Sequence, residues 1–425
     1  MTDVLIIGAG VAGLSAALEL KKRGLSYLLI EATDKPGGRA RTRRNSAGTP
    51  IDLGAHWLHG ENTPLRAALD QYGLPYHEET DGDMFVHEHG KLTKAPEEWI
   101  ESAVDWDKAS AIKKGEAPDV PLPDLAVDEA ARIRLSDFGL MWDGIDPPYH
   151  PSAYEFLTDE NTPGGLQPKN GMAALVEALA RDAGPENLRL NTPVTRVVSH
   201  KDHVDVQSSD GTRFMARLAL FTGSLGVLKS NAVAFEPGLS QDFRRHLSGL
   251  VMGKMNKIVV EVEPAFLDQR QIGVDTGFIM LDSQPPHFCH VRGAGVPVIQ
   301  LYISGRHAEI IEGMTSKEAL DHLSRVISPV DRLRGFEAHV VSDPVVSGWV
   351  SNPFTRGAYS CCLPGHKRQG PHREARVFFA GDTFDERFPA SIAGAFRSGE
   401  AGARLAATAL DIHAGPAVWT ETYQI

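Results

Sequence analysis

Residues 4–31 read VLIIGAGVAGLSAALELKKRGLSYLLIE, and the order of parts in this stretch decides the fold. Val4–Ile7 is a short, wholly apolar and mostly β-branched run, suited to a buried parallel strand. It enters Gly8, Gly10 and Gly13 directly, in the spacing GxGxxG. A helical pattern follows, with Val11, Leu14, Ala17, Leu18 and Leu20 on one side and Glu19, Lys21, Lys22 and Arg23 off it. Gly24 stops that helix, and a second apolar run, Tyr27–Ile30, ends at Glu31. The parts compose a βαβ unit of the dinucleotide-binding kind. Gly8 permits the tight turn, Gly10 lets the backbone approach a pyrophosphate, and Gly13 lets helix and strand pack closely. The helix N-terminus offers unpaired N–H groups and the positive end of its dipole to the phosphates. Glu31, 18 residues after Gly13, stands where a carboxylate accepts hydrogen bonds from an adenosine ribose.

Outward from this unit, Gly37-Gly38-Arg39-Ala-Arg41 pairs glycines with arginines, which brings backbone N–H groups and a guanidinium onto a phosphate. Asp52-Leu-Gly54-Ala55-His56-Trp57-Leu58-His59-Gly60 follows. In the middle of the chain, Thr222-Gly-Ser-Leu-Gly226-Val-Leu228 ends an apolar run, and Gly253-Lys254-Met-Asn-Lys257 opens an alternating one through Ile258, Val260 and Val262. Late in the chain come Gly348-Trp349, then Arg356-Gly357-Ala358-Tyr359, then Val377-Phe-Phe-Ala-Gly381-Asp382, and a small-residue helix from Ser391 and Ile392. As a set these segments resemble the flavin-containing amine oxidase family, which includes monoamine oxidases, polyamine oxidases and flavin-dependent histone lysine demethylases. The resemblance covers residues 3–62, 168–262 and 345–405.

The resemblance implies FAD rather than NAD, with Glu31 followed by the family's GGR segment at Gly38 and Arg39. It implies that Gly54, Ala55, His56 and Trp57 lie against the flavin, and that His59 faces the substrate. The backbone of Val194 would contact the adenine. Lys257, preferred to Lys254 by alignment on the strand pattern, would hold a water at flavin N5. Trp349 and Tyr359 belong to the W…GxY segment, whose tyrosine stands before the flavin. Gly381 and Asp382 would meet the ribityl-phosphate part, and Ser391 and Ile392 the pyrimidine end. Three departures stand out. Ala358 occupies the slot where monoamine oxidases carry a flavin-linking cysteine, so the FAD is expected to be non-covalent. Ser391 stands where they place a second aromatic ring, and Ser224 replaces the usual proline.

At 425 residues the chain exceeds one ordinary core. The expected fold is α/β: a Rossmann-like FAD-binding domain of discontinuous segments (1–80, 168–248, 366–425) and an α+β substrate domain (81–167, 249–365). Residues 81–165 read as a mostly helical insertion without strand alternation, its Trp99, Trp106 and Trp142 as core. Short strands are expected around Leu188–Leu190, Val194–Val198 and Val204–Val206. The formal charge of -12 argues against a nucleic-acid partner and would not repel a cation. Three cysteines form no paired framework and no CxxC spacing suggests a metal. The N-terminus lacks a basic leader, and no run approaches 18 apolar residues, so no membrane partner and a cytoplasmic location are expected. The oligomeric state is not legible.

The expected function is amine oxidation. A hydride passes from the carbon next to the amine nitrogen to flavin N5, the imine is hydrolysed, and O2 reoxidises the flavin to give hydrogen peroxide. Lys257, Tyr359 and His59 are the catalytic candidates. The substrate is expected to be an extended or bulky small-molecule amine, with a polyamine among the options and an acidic site in the insertion if so. An amino-acid oxidase or a flavin desaturase or dehydrogenase on the same fold is the alternative, with Arg356 or Arg387 conceivable for a carboxylate. A non-catalytic flavoprotein scaffold is the alternative of another class.

Overall fold

The computed structural model describes residues 1–44, 48–59, 64–79, 85–88, 91–96, 98–161, 165–272, 278–281 and 285–410. Gly60 of the quoted block, and residues 411–425 of the expected FAD-binding domain, lie outside these.

Five parallel strands form the centre of the larger sheet, in the order Leu188–Arg189, Tyr27–Ile30, Thr2–Ile7, Arg213–Phe221, Val377–Phe379. The first strand is apolar on both faces because both are covered. Val4 and Ile6 pack with Leu14, Ala17 and Leu20 of the helix Val11–Lys22, while Leu5 and Ile7 join Val206, Phe221 and Phe379. The long strand Arg213–Phe221 also pairs at its start with Val204–Ser208, so an antiparallel hairpin with Val194–Ser199 extends the sheet. All five parallel strands run the same way. Their carboxyl ends therefore bring Gly8, Glu31, Thr222 and Gly381 to one edge, where ligands of open α/β sheets bind.

A second, seven-stranded sheet contains Met255–Glu261 paired antiparallel with Val298–Ser304. Its alternation sorts side chains by face. Ile258, Val260, Ile299 and Leu301 pack under the helix Ser316–Ile327. Met255, Tyr302, Met280 and Phe288 face the other way and meet Trp57, Trp142 and Tyr359. Lys257 stands on that second face, within cation–π reach of Tyr302.

The segment expected to be mostly helical also carries two strands. Phe85–Glu88 and Lys91–Lys94 form a hairpin at the edge of the second sheet, the former parallel to Phe278–Leu281. Each strand has four residues, too few to show a period, and its partner lies far along the chain. The helices Trp106–Lys114, Glu129–Asp143 and Ala153–Thr158 pack around Leu122, Leu125 and Leu135. Of the tryptophans expected as core, Trp99 and Trp142 pack against buried clusters and also border a large cavity, whereas Trp106 is exposed. Among the described residues no helix is long and apolar enough to cross a membrane.

Candidate active site

A cavity of about 1250 Å³ runs from the edge of the parallel sheet to the aromatic face of the second. That exceeds the 300–1,000 Å³ usual for one drug-sized ligand, roughly what a dinucleotide and a substrate together need. Every residue expected above to bind the cofactor or act in catalysis borders it except Gly13, while the alternatives Lys254 and Arg387 do not. Gly13 lies beneath, where a Cβ would come within 1.9 Å of the Gly8 carbonyl oxygen, so its role is helix–turn contact.

At the sheet end, Gly8 turns the chain at φ +104°, a conformation that disfavours side chains. A Cβ on Gly10 would have no atom within 4 Å and would project into open space. The turn thus leaves room for a pyrophosphate against the first N–H groups of the helix Val11–Lys22. Glu31 is buried; one carboxylate oxygen accepts from the Ala9 N–H at 2.9 Å, the other from the Thr33 N–H and hydroxyl at 2.9 and 2.8 Å. Three bonds leave acceptor capacity for a ribose hydroxyl, since a carboxylate has about four acceptor sites. Thr192 and Val194 complete this end.

Further in, Arg39 forms a two-pronged pair with Asp382, at 3.1 and 2.6 Å, and donates to the Ala358 carbonyl at 2.6 Å. It fastens the early GGR segment to the strand-end Gly381–Asp382 and to the W…GxY segment. The last helix is Ile392–Ala409, and Ser391 is its N-cap: its hydroxyl accepts from the Gly394 N–H at 3.0 Å and donates to the Phe388 carbonyl. Its glycines do not approach the cavity. Cβ atoms on Gly394 and Gly399 would lie 2.0 Å from the carbonyl oxygens of Phe388 and Ala12, so those glycines serve packing within the protein. Ser391, Ile392 and Ala395 border the cavity instead. His56 presents two buried ring nitrogens with no hydrogen-bond partner among the described residues, and its ring packs edge-on to Trp57. Burial, with Lys257 and His290 nearby, holds that ring well below the usual histidine range, hence neutral. An orphaned polar ring, an open glycine cradle, a helix N-terminus and a ribose-type acid on one wall fit FAD.

Lys257 marks the junction between the two ends. Its ammonium donates to the Gly54 carbonyl at 2.9 Å and to the Asp52 carbonyl at 3.1 Å, and lies 4.8 Å from the Tyr302 ring centre. Burial lowers its pKa against the pull of the Asp52 charge. Burial likewise raises the Asp52 carboxyl, opposed by hydrogen bonds from Thr42 and from the Met172 N–H. Lys254 instead forms a surface pair with Glu309 at 2.7 Å. Tyr359 donates its hydroxyl to the Trp142 carbonyl, and burial, then Asp143, keeps that phenol well above its usual range. Trp349 donates its indole N–H to Leu53 at 2.9 Å, and His59 lies beside Trp57.

Sequence reasoning missed much of the far wall. Phe288 and Tyr302 come from the stretch after residue 265, where only strand–helix alternation was legible; Trp142, Asp143 and Asp159 come from the insertion. Asp143 and Asp159 end helices, and the signal available was an acid at a helix C-terminus, where the dipole disfavours it.

Known proteins agree with this architecture. The family described as "Flavin containing amine oxidoreductase" matches residues 11–407. Polyamine oxidase 4 of Oryza sativa subsp. japonica is 28% identical, over 94% of this chain and 88% of its own length. Lysine-specific histone demethylase 2 of Homo sapiens is 24% identical, over 93% of this chain and 52% of that protein. Among solved structures, cyclohexylamine oxidase from Brevibacterium oxydans IH-35A superposes with a TM-score of 0.80 at 21% identity, covering 96% of this chain and 99% of that one. Putrescine oxidase bound to putrescine superposes at 0.77 with 19% identity, over the same shares. The structural likeness speaks for the fold, and the family match spans nearly the whole chain, from the glycine turn to the last helix: this protein belongs to the flavin-containing amine oxidoreductase family.

Proposed function

We propose that the protein oxidises an extended or bulky amine, with FAD bound non-covalently and O2 as the final electron acceptor. FAD, held by the glycine turn, Glu31, the Gly381 strand end and the start of the last helix, supplies the acceptor for a hydride from the carbon beside the amine nitrogen. The observation that carries the amine assignment is the far chamber: aromatic side chains wall it, and no buried arginine there is free among the described residues. Arg368 is committed to Glu155, Arg39 to Asp382, Arg387 is exposed on Glu160, and Arg356 is exposed. A substrate carboxylate would lack its usual partner. Ser391 turns its hydroxyl to the helix backbone and presents no ring, which supports a wide approach.

Loss of hydride needs the nitrogen lone pair, so the reacting amine must be neutral. A free amine has a pKa of about 10.4, and the apolar chamber of Trp142, Phe288, Tyr302 and Tyr359 lowers it by desolvation. Lys257 would orient a water or substrate group from its carbonyl-anchored position. Ala358 offers no thiol. Cys361, which borders the cavity, has its thiol pushed well above the usual range by burial and is a poor nucleophile. Acid precipitation should therefore release all yellow colour as FAD, and colour retained in the pellet would refute non-covalent binding.

The test of function is a peroxide-coupled screen over monoamines, diamines, polyamines and amino acids, paired with anaerobic bleaching of the flavin. Amines should bleach it and give peroxide under air. Turnover of amino acids alone would transfer the assignment to the amino-acid oxidase reading.

A further inference from the structure

Away from the cavity, we propose that His200, His203 and Asp205 form a binding site for a divalent transition-metal ion, with Asp202 orienting one of the histidines. The site lies at the tip of the antiparallel hairpin that extends the larger sheet, and none of these residues borders the cavity. Its existence does not depend on which substrate the cavity takes.

The alternation of the hairpin gathers these side chains. Val198 pairs with Asp205 and Ser199 with Val204, and beyond them the His200 N–H donates to the His203 carbonyl at 2.9 Å. Val204 and Val206 point into the core, so His203 and Asp205, on the alternate positions, take the opposite face. The tip is also anchored by a neighbouring segment. Arg376 donates from Nε to the Lys201 carbonyl at 2.7 Å and from its backbone N–H to the Ser199 hydroxyl at 3.3 Å. The turn is thus held in one shape by protein contacts.

Asp205 turns one oxygen to each imidazole. Its Oδ2 lies 3.2 Å from His200 Nε2, and its Oδ1 lies 3.7 Å from His203 Nε2. One ligand atom from each of the three residues lies within 4.8 Å of the other two. Around a zinc ion, bonds of about 2.0–2.1 Å set tetrahedral ligand atoms about 3.4 Å apart, so small side-chain rotations close the set. All three side chains are partly exposed, which lets an ion enter from solvent and leaves a place for water as the fourth ligand.

His203 carries the mark that separates a metal ligand from a plain ion pair. Its Nδ1 lies 2.8 Å from Asp202 Oδ1, and because a carboxylate only accepts, that nitrogen carries the proton. In the neutral ring this leaves Nε2, on the Asp205 side, as the lone pair, the arrangement by which a carboxylate orients a metal-binding imidazole. An ion pair needs one histidine, whereas here one carboxylate faces two. Their rings stack at 4.4 Å between centres and 19° between planes. Two imidazolium charges would repel at that distance, while neutral imidazoles, the ligating form, stack. Two nitrogens and an oxygen suit zinc, nickel or copper; calcium and magnesium take oxygen ligands.

The experiment titrates zinc chloride into the FAD-loaded protein by calorimetry, in chelator-free buffer at a pH of about 7.5, where free imidazole is mostly neutral. The wild type should bind zinc saturably, one ion per chain at this site. His200→Ala with His203→Ala should weaken that binding at least about a hundredfold, beyond the roughly 10–100-fold that loss of an outer-shell partner costs. FAD retention of the variant on gel filtration should match the wild type, which shows that it is folded. Calcium chloride should give no comparable binding. No saturable zinc binding by the wild type, zinc affinity unchanged in the double variant, or calcium bound as tightly as zinc through the same histidines overturns the site.

Discussion

Lys257 sits at a point where a surface lysine would be useless and a buried one is costly. Two backbone carbonyls and the face of Tyr302 compensate the loss of water around its ammonium. Those partners belong to the Asp52–Gly54 segment and to the second sheet, so the residue ties the two halves of the cavity together. The strand pattern in the sequence points to Lys257, and the structure shows why position 254 differs: it stands just before the strand Met255–Glu261, in a surface ion pair. Lys257→Met keeps the chain length and apolar fit, so FAD should remain bound. Flavin reduction or reoxidation should slow on the order of a hundredfold, the lower range for loss of a positioned proton-transfer group. Lys254→Met should change neither. Stopped-flow traces of both half-reactions decide this, and unchanged rates in Lys257→Met would remove the residue from the chemistry.

At the scale of elements, what was legible in the sequence was local. The strand, glycine turn, helix and second strand up to Glu31 follow from apolar period and glycine spacing, which neighbouring residues set by themselves. The paired strands Phe85–Glu88 and Lys91–Lys94 join a distant strand, and four residues each carry no period that announces it. Phe288 and Tyr302 face each other in neighbouring strands, but the distant Trp57, Trp142 and Tyr359 make their face a cavity wall. The last helix shows another limit: its glycines are visible in the sequence, but the helix they pack against lies at the other end of the chain. Gly399 meets the backbone of Ala12 and the Ser15 hydroxyl, and Ser15 donates to the Phe396 carbonyl across the same crossing. Gly399→Ala would place a methyl 2.0 Å from the Ala12 carbonyl oxygen, forcing apart the last helix and the helix that presents the glycine turn. The expected loss is about 1–3 kcal/mol of stability, the usual cost of overpacking, together with weaker FAD retention because Val11 and Ile392 move apart. Denaturant unfolding and gel filtration measure both. Full stability would mean that the crossing relaxes freely.

Over the whole molecule, two sheets bury their facing elements around one elongated cavity, and the charge inside it is as uneven as its shape. One end is served by N–H groups and Arg39, while the far end gathers acids with a single committed arginine. That imbalance has a consequence for stability against pH. Asp143 is raised to about 8 in the folded protein, against about 3.9 for an unfolded aspartate. Between these values the folded state binds more protons than the unfolded one, so this residue makes stability fall as pH rises. Other groups titrate too: His246 and His287, each lowered by burial to about 4, make stability rise with pH up to about 6.5. Comparison with Asp143→Asn cancels those contributions, because they are common to both proteins. The variant should therefore gain on the wild type from about pH 4 upward, by at most about 1.4 kcal/mol per pH unit, and the gain should level off above about 8. Denaturant unfolding of both FAD-loaded proteins from pH 5 to 9, without added amine, measures the difference. A gap independent of pH would show that Asp143 is ionised at ordinary cost, and the far wall would then carry no unmet charge.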